Sequence, residues 1–171
     1  MRETFAAIRR AKAKDVPFIM STERVPGFEQ FIGTWTEEEH LRAIAEPSAA
    51  YLLAIGSGSQ PLGFATLLHL DEPHGNVFLK RIAVIEPNRG FGTAFIHSLA
   101  RFVFGQAQVY RFWLDVLESN TRARHVYRKI GFVEEGVLRN AWQMPDGSRR
   151  NLFLMSLTRP EWEQRYLGTE Q

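Results

Sequence analysis

The chain of 171 residues is predicted to fold as a single α+β domain, built on a mixed, mostly antiparallel β-sheet with flanking helices. Three short strand-like segments follow one another between residues 51 and 84, which is typical of an antiparallel meander. A helix, a strand and a second helix then follow up to residue 130, and this alternation favours a parallel pairing in the middle of the sheet. No repeat, low-complexity tract or linker divides the chain, so residues 1–171 are taken as one domain.

The first 50 residues are expected to contribute one strand and two helices. Residues 4–11 mix apolar and basic side chains, as a half-buried strand does. Asp15 is a candidate N-cap for the first helix. Thr36, followed three residues later by Glu39, forms a capping box that opens a second helix ending at Ala45.

The remaining elements follow from apolar periodicity and from the glycine and proline residues between periodic segments. The expected strands lie at residues 51–55, 62–69, 77–84, 111–117, 136–142 and 151–157. The expected helices lie at residues 93–104, 121–130 and 160–166. Gly131 stands where a glycine commonly ends a helix.

Composition limits the classes of function. The 21 basic and 19 acidic residues give a net charge of +2, which is too small to argue for nucleic acid or a membrane as a partner. The absence of cysteine excludes a thiol nucleophile and a cysteine-based zinc site, and no histidine pair has metal-ligand spacing, so no metal is expected. With no run of 18 apolar residues and no apolar leader, the chain is expected to be cytoplasmic.

The run Arg89-Gly90-Phe91-Gly92-Thr93-Ala94 is the strongest local signal, because it follows a predicted strand and opens a predicted helix. Glycines let a ligand approach the backbone, and the free N–H groups at a helix start attract phosphate oxygens. A plain strand–helix connection is the simpler alternative. A dinucleotide fingerprint needs a third glycine where Phe95 stands, and a P-loop needs Gly-Lys-Ser/Thr, so only a different kind of pyrophosphate cradle fits.

Two segments resemble the motifs of the GNAT acetyltransferases. Residues 79–94 (LKRIAVIEPNRGFGTA) resemble motif A, a strand followed by Arg/Gln-x-x-Gly-x-Gly/Ala. Residues 120–132 (NTRARHVYRKIGF) resemble motif B, Asn-x-x-Ala-x-x-x-Tyr-x-Lys-x-Gly-Phe. The tail from residue 133 is similar to the branch that includes the ribosomal-protein alanine and polyamine acetyltransferases. The resemblance spans roughly residues 50–160, and the first 50 residues match only in pattern.

The resemblance implies a GNAT-type sheet in which acetyl-coenzyme A (acetyl-CoA) lies between two splayed parallel central strands, residues 77–84 and 111–117. A bulge in the first of these strands would leave a backbone N–H free to polarise the thioester carbonyl, with Val84 as the expected donor and Ala83 as the second choice. The residues expected to contact the cofactor are Ile82, Ala83, Val84, Arg89, Gly90, Phe91, Gly92, Thr93, Ala94, Asn120 and Tyr127.

Asn120 and Tyr127 lie seven residues apart, on one face of the predicted helix. Asn120 is either the N-cap of that helix or, as the resemblance implies, also a cofactor contact. Tyr127 is either a buried tyrosine packed on the sheet or the group that hydrogen-bonds the departing thiolate. A phenol has a pKa of about 10 and a thiol about 8.5, so full proton transfer would be uphill by roughly 2 kcal/mol, and a hydrogen bond is the better description.

A carboxylate is expected to accept the proton of the acceptor amine. Glu118 follows the second splayed strand and is the predicted catalytic carboxylate, with Glu86 as an alternative. One or two of four basic residues are expected to meet the 3′-phosphate of the cofactor. These four are Arg122, Arg124, Arg128 and Lys129.

The predicted function is direct transfer of an acetyl group from acetyl-CoA to a primary amine, either a protein N-terminus or a small amine such as a polyamine. The acceptor groove is expected to include Phe28, Phe31, Trp35 and the turn at residues 142–150. A non-catalytic acyl-CoA-binding sensor with the same fold is the alternative, and a nucleotide-binding domain is a third interpretation. Either a monomer or a homodimer fits the sequence.

Overall fold

A computed structural model describes residues 4–28, 30–86 and 90–168. Seven strands form one sheet in the order β1-β2-β3-β4-β5-β7-β6. The strands are β1 (Phe5–Arg10), β2 (Ala50–Gly56), β3 (Pro61–Leu68), β4 (Asn76–Val84), β5 (Arg111–Leu117), β6 (Val133–Gln143) and β7 (Arg149–Thr158). The helices are α1 (Val16–Glu23), α2 (Glu37–Ala45), α3 (Phe91–Phe104), α4 (Thr121–Ile130) and α5 (Arg159–Tyr166), and a 3-10 turn (Ala13–Asp15) precedes α1.

The pairing of β4 with β5 is parallel, and the other pairings in the sheet are antiparallel. The predicted α+β class and the mostly antiparallel sheet with two parallel central strands are therefore confirmed. Within the described ranges, no helix is both long enough and apolar enough to cross a membrane.

Helices cover both faces of the sheet. On one face, side chains of α3, α4 and α5, including Phe95, Ile130 and Trp162, pack on the strands in the larger apolar cluster. On the other face, Ile19 of α1 and the apolar side of α2 pack on β2 and β3 in a smaller cluster. Burial of apolar surface on both faces fixes the sheet as a rigid central layer.

Local capping explains where two of the helices begin. Thr36 Oγ1 accepts a hydrogen bond from the Glu39 N–H at 3.3 Å, and Glu39 Oε2 accepts one from the Thr36 N–H at 2.7 Å, so the predicted capping box is present. Asn120 Oδ1 accepts from the Ala123 N–H at 3.1 Å and caps α4. Gly131 ends α4 with φ of 120°, a conformation that favours glycine.

Asp15 stands at the N-cap position of α1 as expected, but its side chain makes no capping hydrogen bond there. The Asp15 side chain instead accepts two hydrogen bonds of 2.8 Å from the guanidinium of Arg9 and one of 2.8 Å from the Lys12 N–H. A bidentate arginine is a stronger partner for a carboxylate than a single helix N–H, so this aspartate joins the end of β1 to the turn before α1.

Strands β4 and β5 separate part-way along their length. They pair from Asn76↔Arg111 to Leu79↔Leu114, and the recorded pairing stops there although both strands continue. The opposite edge of β4 changes register at the same point, because Leu67 pairs with Leu79 but Thr66 pairs with Arg81. Lys80 is the extra residue of a β-bulge, which bends β4 away from β5. The bulge and the splayed strands expected from the sequence are both present.

Gly63 on β3 lets the two strands approach closely beside the bulge. A Cβ atom at Gly63 would lie 2.3 Å from the carbonyl oxygen of Ala83 and 3.0 Å from the Cα of Val84. Both are backbone atoms of a paired strand, so they cannot move aside without displacing β4.

We expect Gly63→Ala to lower the free energy of unfolding by about 1–3 kcal/mol, because the methyl group overpacks the junction of β3 and β4. Gly136→Ala in β6 is the matched control, since a Cβ there meets no atom within 4 Å. Urea unfolding followed by circular dichroism measures both variants. Equal midpoints for the two variants would contradict the close approach at Gly63.

Candidate active site

The separation of β4 and β5 opens a cavity of about 330 Å³ between β4, the start of α3 and the start of α4, here called cavity A. Six of the eleven residues that the sequence predicts to contact the cofactor meet in its wall. Those six are Ile82, Ala83, Val84, Gly92, Asn120 and Tyr127. The other lining residues are Phe28, Phe31, Ile32, Ile96, Ser119, Thr121, Arg122, Ala123 and Val126.

Alternation along β4 determines which backbone groups face the cavity. The Ile85 N–H donates to the Leu62 carbonyl at 2.8 Å, which makes the pair Leu62 and Ile85 a hydrogen-bonded one. By the alternation of an antiparallel ladder, Ala83 also points its N–H and C=O at β3. Ile82 and Val84 point theirs the opposite way, where the recorded β5 pairing has already ended. Of the two donors predicted from the sequence, Val84 therefore points its N–H away from the β3 ladder, with no strand partner among the described residues, whereas Ala83 points its N–H into that ladder.

The glycine turn presents open backbone to a ligand. Gly90 has φ of 79°, a left-handed conformation at the N-cap of α3. The helix therefore begins at Phe91, two residues before the start at Thr93 that the sequence predicted. Gly92 lines cavity A, and a Cβ there would meet no atom within 4 Å. The Phe91 side chain is buried in the core, so only its backbone can serve a ligand. Arg89 lies outside the described residues.

Cavity A continues past Gly92 into an open cleft of about 460 Å³, here called cleft C. Its lining residues are Gly90, Gly92, Thr93, Thr121, Arg122, His125 and Val126. Thr93 therefore lies with the glycines, whereas Ala94 lines a separate cleft beside Phe5 and Tyr166. Free N–H groups at the start of α3 and the cation of Arg122 make cleft C suited to phosphate oxygens.

The four basic residues of α4 differ in whether they form ion pairs. Arg124 and Arg128 both bind Glu134 Oε1, at 2.8 Å and 2.6 Å. Arg122 forms no such pair with the described residues and lines both cavity A and cleft C. Lys129 lines the cleft that also contains Ala94. Arg122 is therefore the best placed of the four to meet a phosphate group.

Tyr127 stands between two cavities. It is 6% exposed, and it lines both cavity A and a second cavity on the other side of the opening between the strands. Burial raises the pKa of Tyr127 well above its usual value, and the nearby Asp115 raises it further. The hydroxyl therefore keeps its proton at neutral pH and can donate a hydrogen bond to a group in either cavity.

The second cavity, cavity B, has a volume of about 200 Å³. It shares Phe31, Ile32, Ile82, Asn120 and Tyr127 with cavity A. Its other lining residues are Gly33, Trp35, Leu79, Lys80, Arg81, Asp115, Val116, Leu117, Trp142 and Leu152. The two cavities thus meet at Tyr127 and at the free edge of β4.

Asp115 is the carboxylate of this site that the sequence analysis missed. Burial raises the pKa of Asp115 above its usual value, and the charge of Lys80 partly opposes that rise. A carboxylate with a raised pKa in a cavity is a better proton acceptor than an exposed one. An aspartate among the otherwise apolar residues 112–117 of β5 is the sequence signal that could have identified it.

Glu118, the predicted catalytic carboxylate, points elsewhere. Its carboxylate accepts hydrogen bonds from the Asn151 backbone N–H at 3.3 Å and side-chain Nδ2 at 3.1 Å. It is not among the described residues that line cavity A or cavity B. The geometry therefore favours Asp115 over Glu118 and gives Glu118 a role in joining β5 to β7.

The segment between α1 and α2 forms a wall of both cavities, as expected for the acceptor groove. Phe28 and Phe31 line cavity A, and Phe31 and Trp35 line cavity B. A neighbouring cleft of about 400 Å³, cleft D, connects this wall to the turn after β6. The lining residues of cleft D are Ile32, Gly33, Thr34, Trp142, Gln143, Met144 and Pro145.

A buried carboxylate holds this wall in place. Glu23, 0% exposed, accepts hydrogen bonds from the Trp35 N–H at 3.0 Å and from Arg81 Nη2 at 2.6 Å. Arg81 Nη2 also donates to the Gly33 carbonyl, and the guanidinium lies 4.5 Å from the Trp35 ring centroid. Arg24 also binds Glu23, at 2.5 Å. Because these contacts join the wall to β4, the shape of cavity B depends on the buried carboxylate of Glu23 and its arginine partners.

Comparison with known proteins agrees with this geometry. The sequence profile described as "Acetyltransferase (GNAT) family" matches residues 18–132. The chain therefore belongs to the GNAT acetyltransferases, and the family predicted from the two motifs is confirmed. Within that family, a [ribosomal protein bS18]-alanine N-acetyltransferase of Haemophilus influenzae is 35% identical over 107 residues, which are 61% of this chain and 69% of that protein.

Two further proteins resemble the chain, one over a shorter match and one in fold. The corresponding alanine N-acetyltransferase of Haemophilus ducreyi is 44% identical over 45 residues, so the match spans only 26% of this chain and 31% of that protein. The spermidine N-acetyltransferase of Vibrio cholerae, solved with CoA and spermine, has a TM-score of 0.81 at 19% identity, over 94% of this chain and 97% of that one. At this identity the likeness shows the fold alone.

We expect Tyr127→Phe to lower the turnover number about 10- to 100-fold, the usual worth of a hydrogen bond to a charged group. CoA affinity should change little, because the ring that packs in cavity A remains. Tyr110→Phe is the control, since Tyr110 is exposed. Steady-state kinetics and calorimetric CoA binding measure both effects, and unchanged turnover would remove Tyr127 from the mechanism.

Proposed function

We propose that this protein transfers an acetyl group from acetyl-CoA directly to a primary amine. The observation that carries the proposal is the edge of β4 beyond its pairing with β5, where the backbone groups of Ile82 and Val84 have no strand partner among the described residues. Both residues line cavity A, and Ile82 also lines cavity B. A pantetheine chain can pair with such an edge as an added strand would. Open space beside Gly92 and the cation of Arg122 fit the phosphates of CoA.

The backbone of β4 would stabilise the charge that develops on the thioester oxygen. The Val84 N–H is free of the β3 ladder and belongs to a strand held on its other edge by β3, so it is already oriented before a substrate arrives. A fixed N–H of this kind typically contributes about 3–4 kcal/mol to transition-state stabilisation. The Ile82 N–H faces the same side and can bind the pantetheine.

Asp115 would accept the proton of the acceptor amine. An alkyl ammonium has a pKa of about 10.4, so its deprotonation at pH 7 costs roughly 4–5 kcal/mol. Asp115 lies in cavity B, on the opposite side of Tyr127 from the proposed cofactor cavity, where an acceptor would enter. The raised pKa of its carboxylate brings the carboxylate closer to the amine in basicity.

Tyr127 would donate a hydrogen bond to the departing thiolate. Its raised pKa keeps the phenol protonated, so the thiolate is stabilised by the hydrogen bond and takes its proton from another source. The presence of Asp115 and Tyr127 at the junction of two cavities favours an enzyme over an acyl-CoA sensor, because a sensor needs neither a proton acceptor nor a second cavity.

The acceptor is proposed to be a protein N-terminus or a small amine. The names of the Haemophilus relatives support a protein N-terminal alanine, and the name of the Vibrio structure supports a polyamine. A ribosomal-protein modifier among the relatives also supports a cytoplasmic location. Thiol release from acetyl-CoA, measured with N-terminal peptides and polyamines, tests the proposal. CoA binding without turnover on any amine would favour the sensor.

We expect Asp115→Asn to lower kcat/KM about 10²- to 10⁴-fold, the usual contribution of a positioned proton acceptor. The wild-type rate should rise with pH as Asp115 ionises. Because burial raises the pKa of Asp115, this increase in rate should occur at a higher pH than the ordinary aspartate pKa of about 3.9.

Glu118→Gln is the matched control, because it makes the same carboxylate-to-amide change outside both cavities. The rates of wild type and both variants are measured between pH 4 and 9 in steps of about 0.5. A large loss of activity in Glu118→Gln, together with retained activity in Asp115→Asn, would mean that Glu118 and not Asp115 accepts the proton.

A further inference from the structure

The few charged residues in the wall of cavity B differ in whether they form ion pairs. Of the described residues that line it, Lys80, Arg81 and Asp115 carry charge. Arg81 is buried and binds the carboxylate of Glu23 at 2.6 Å, a carboxylate that Arg24 also binds. Lys80 is exposed, and its ammonium lies 5.7 Å from the centroid of the Phe78 ring and forms no ion pair with a described residue. The cavity therefore presents one cation outside any recorded ion pair, Lys80, and one carboxylate, Asp115.

Lys80 reaches the cavity because of the bulge. It is the extra residue of β4, is exposed, and follows immediately after the last recorded β4–β5 pair, Leu79↔Leu114. Asp115 is the next residue of β5, so the two charged side chains stand at neighbouring positions on the diverging strands. Their attraction is sufficient to oppose the rise in the pKa of Asp115, although no ion pair joins Lys80 to any described residue.

Apart from Lys80, Asp115 and the buried Arg81, the described residues that line cavity B are uncharged. All the lining residues of cleft D, through which a longer acceptor would extend, are uncharged as well. A polyamine carries a second and a third ammonium along its length. These would meet Lys80 or a neutral wall, with no second carboxylate to receive them.

We propose, resting on the acetyl transfer proposed above, that cavity B selects a primary amine with a carboxylate close to its amino group. Asp115 faces the amine and Lys80 binds the carboxylate, so the two side chains match a zwitterionic acceptor. Two sources have this chemistry, namely a free amino acid and a peptide whose N-terminal residue is acidic. The cavity volume of about 200 Å³ admits only the amine-bearing end of a longer acceptor.

Calorimetric binding to the CoA-loaded protein tests this selection without requiring turnover. Alanine is compared with alanine amide, and the peptide amide Glu-Ala-Ala with Gln-Ala-Ala, so that each pair differs in one carboxylate. We expect the wild type to bind the carboxylate-bearing member of at least one pair about tenfold more tightly, the usual worth of a charge-assisted hydrogen bond. The pair that shows the preference tells whether the acceptor is a free amino acid or a peptide with an acidic N-terminal residue. Spermidine should bind more weakly than the carboxylate-bearing member of that pair.

Lys80→Met should abolish the preference, and Lys14→Met, which removes an exposed lysine before α1, should retain it. The inference is overturned if the wild type shows no carboxylate preference, if Lys80→Met keeps it, or if spermidine binds as tightly as the preferred amine. Selective binding without thiol release would overturn the proposed acetyl transfer and leave the selectivity of cavity B established.

Discussion

The bulge at Lys80 is the constraint on which the site depends. An antiparallel ladder holds β4 to β3 along nearly its whole length, whereas the recorded pairing with β5 covers only its first four positions. One extra residue on β4 is enough to bend the strand, and the two strands then diverge. Divergence leaves backbone groups of a central strand without ladder partners, an arrangement that costs stability unless a ligand or water satisfies them. The cavities, the free Val84 N–H and the position of Asp115 all follow from it.

A second interaction fixes the wall opposite the bulge. Glu23 and Arg81 are almost fully buried and are separated by 58 residues in sequence. Removing one member of a buried ion pair typically costs about 3–5 kcal/mol, because the other charge is left uncompensated. Since Arg81 adjoins the bulged Lys80, the same short stretch of β4 supports the wall of cavity B, would face the proposed acceptor and begins the edge that would bind the cofactor.

Local signals predicted most of the fold and part of the site. Thr36 and Asn120 cap helices as predicted, because caps involve neighbours within a few residues. The side-chain partners of Asp15 and Glu118 were not predicted, because those partners, Arg9 and Asn151, come from other elements. An aspartate within an apolar strand marked Asp115 as unusual, but the register of β5 decides which cavity its side chain lines. Motifs A and B are each contiguous in sequence, so they were sufficient to predict six of the residues that line cavity A.

Amide hydrogen exchange of β4, followed by NMR with and without CoA, tests the account most directly. Without CoA, the Ala83 amide should exchange slowly, because it lies in the β3 ladder, and the Ile82 and Val84 amides should exchange quickly. Saturating CoA should slow the exchange of Ile82 or Val84 by at least about tenfold and leave Ala83 nearly unchanged. Protection of Val84 in the free protein, or no change in either amide when CoA binds, would contradict the claim that the splayed edge of β4 holds the cofactor.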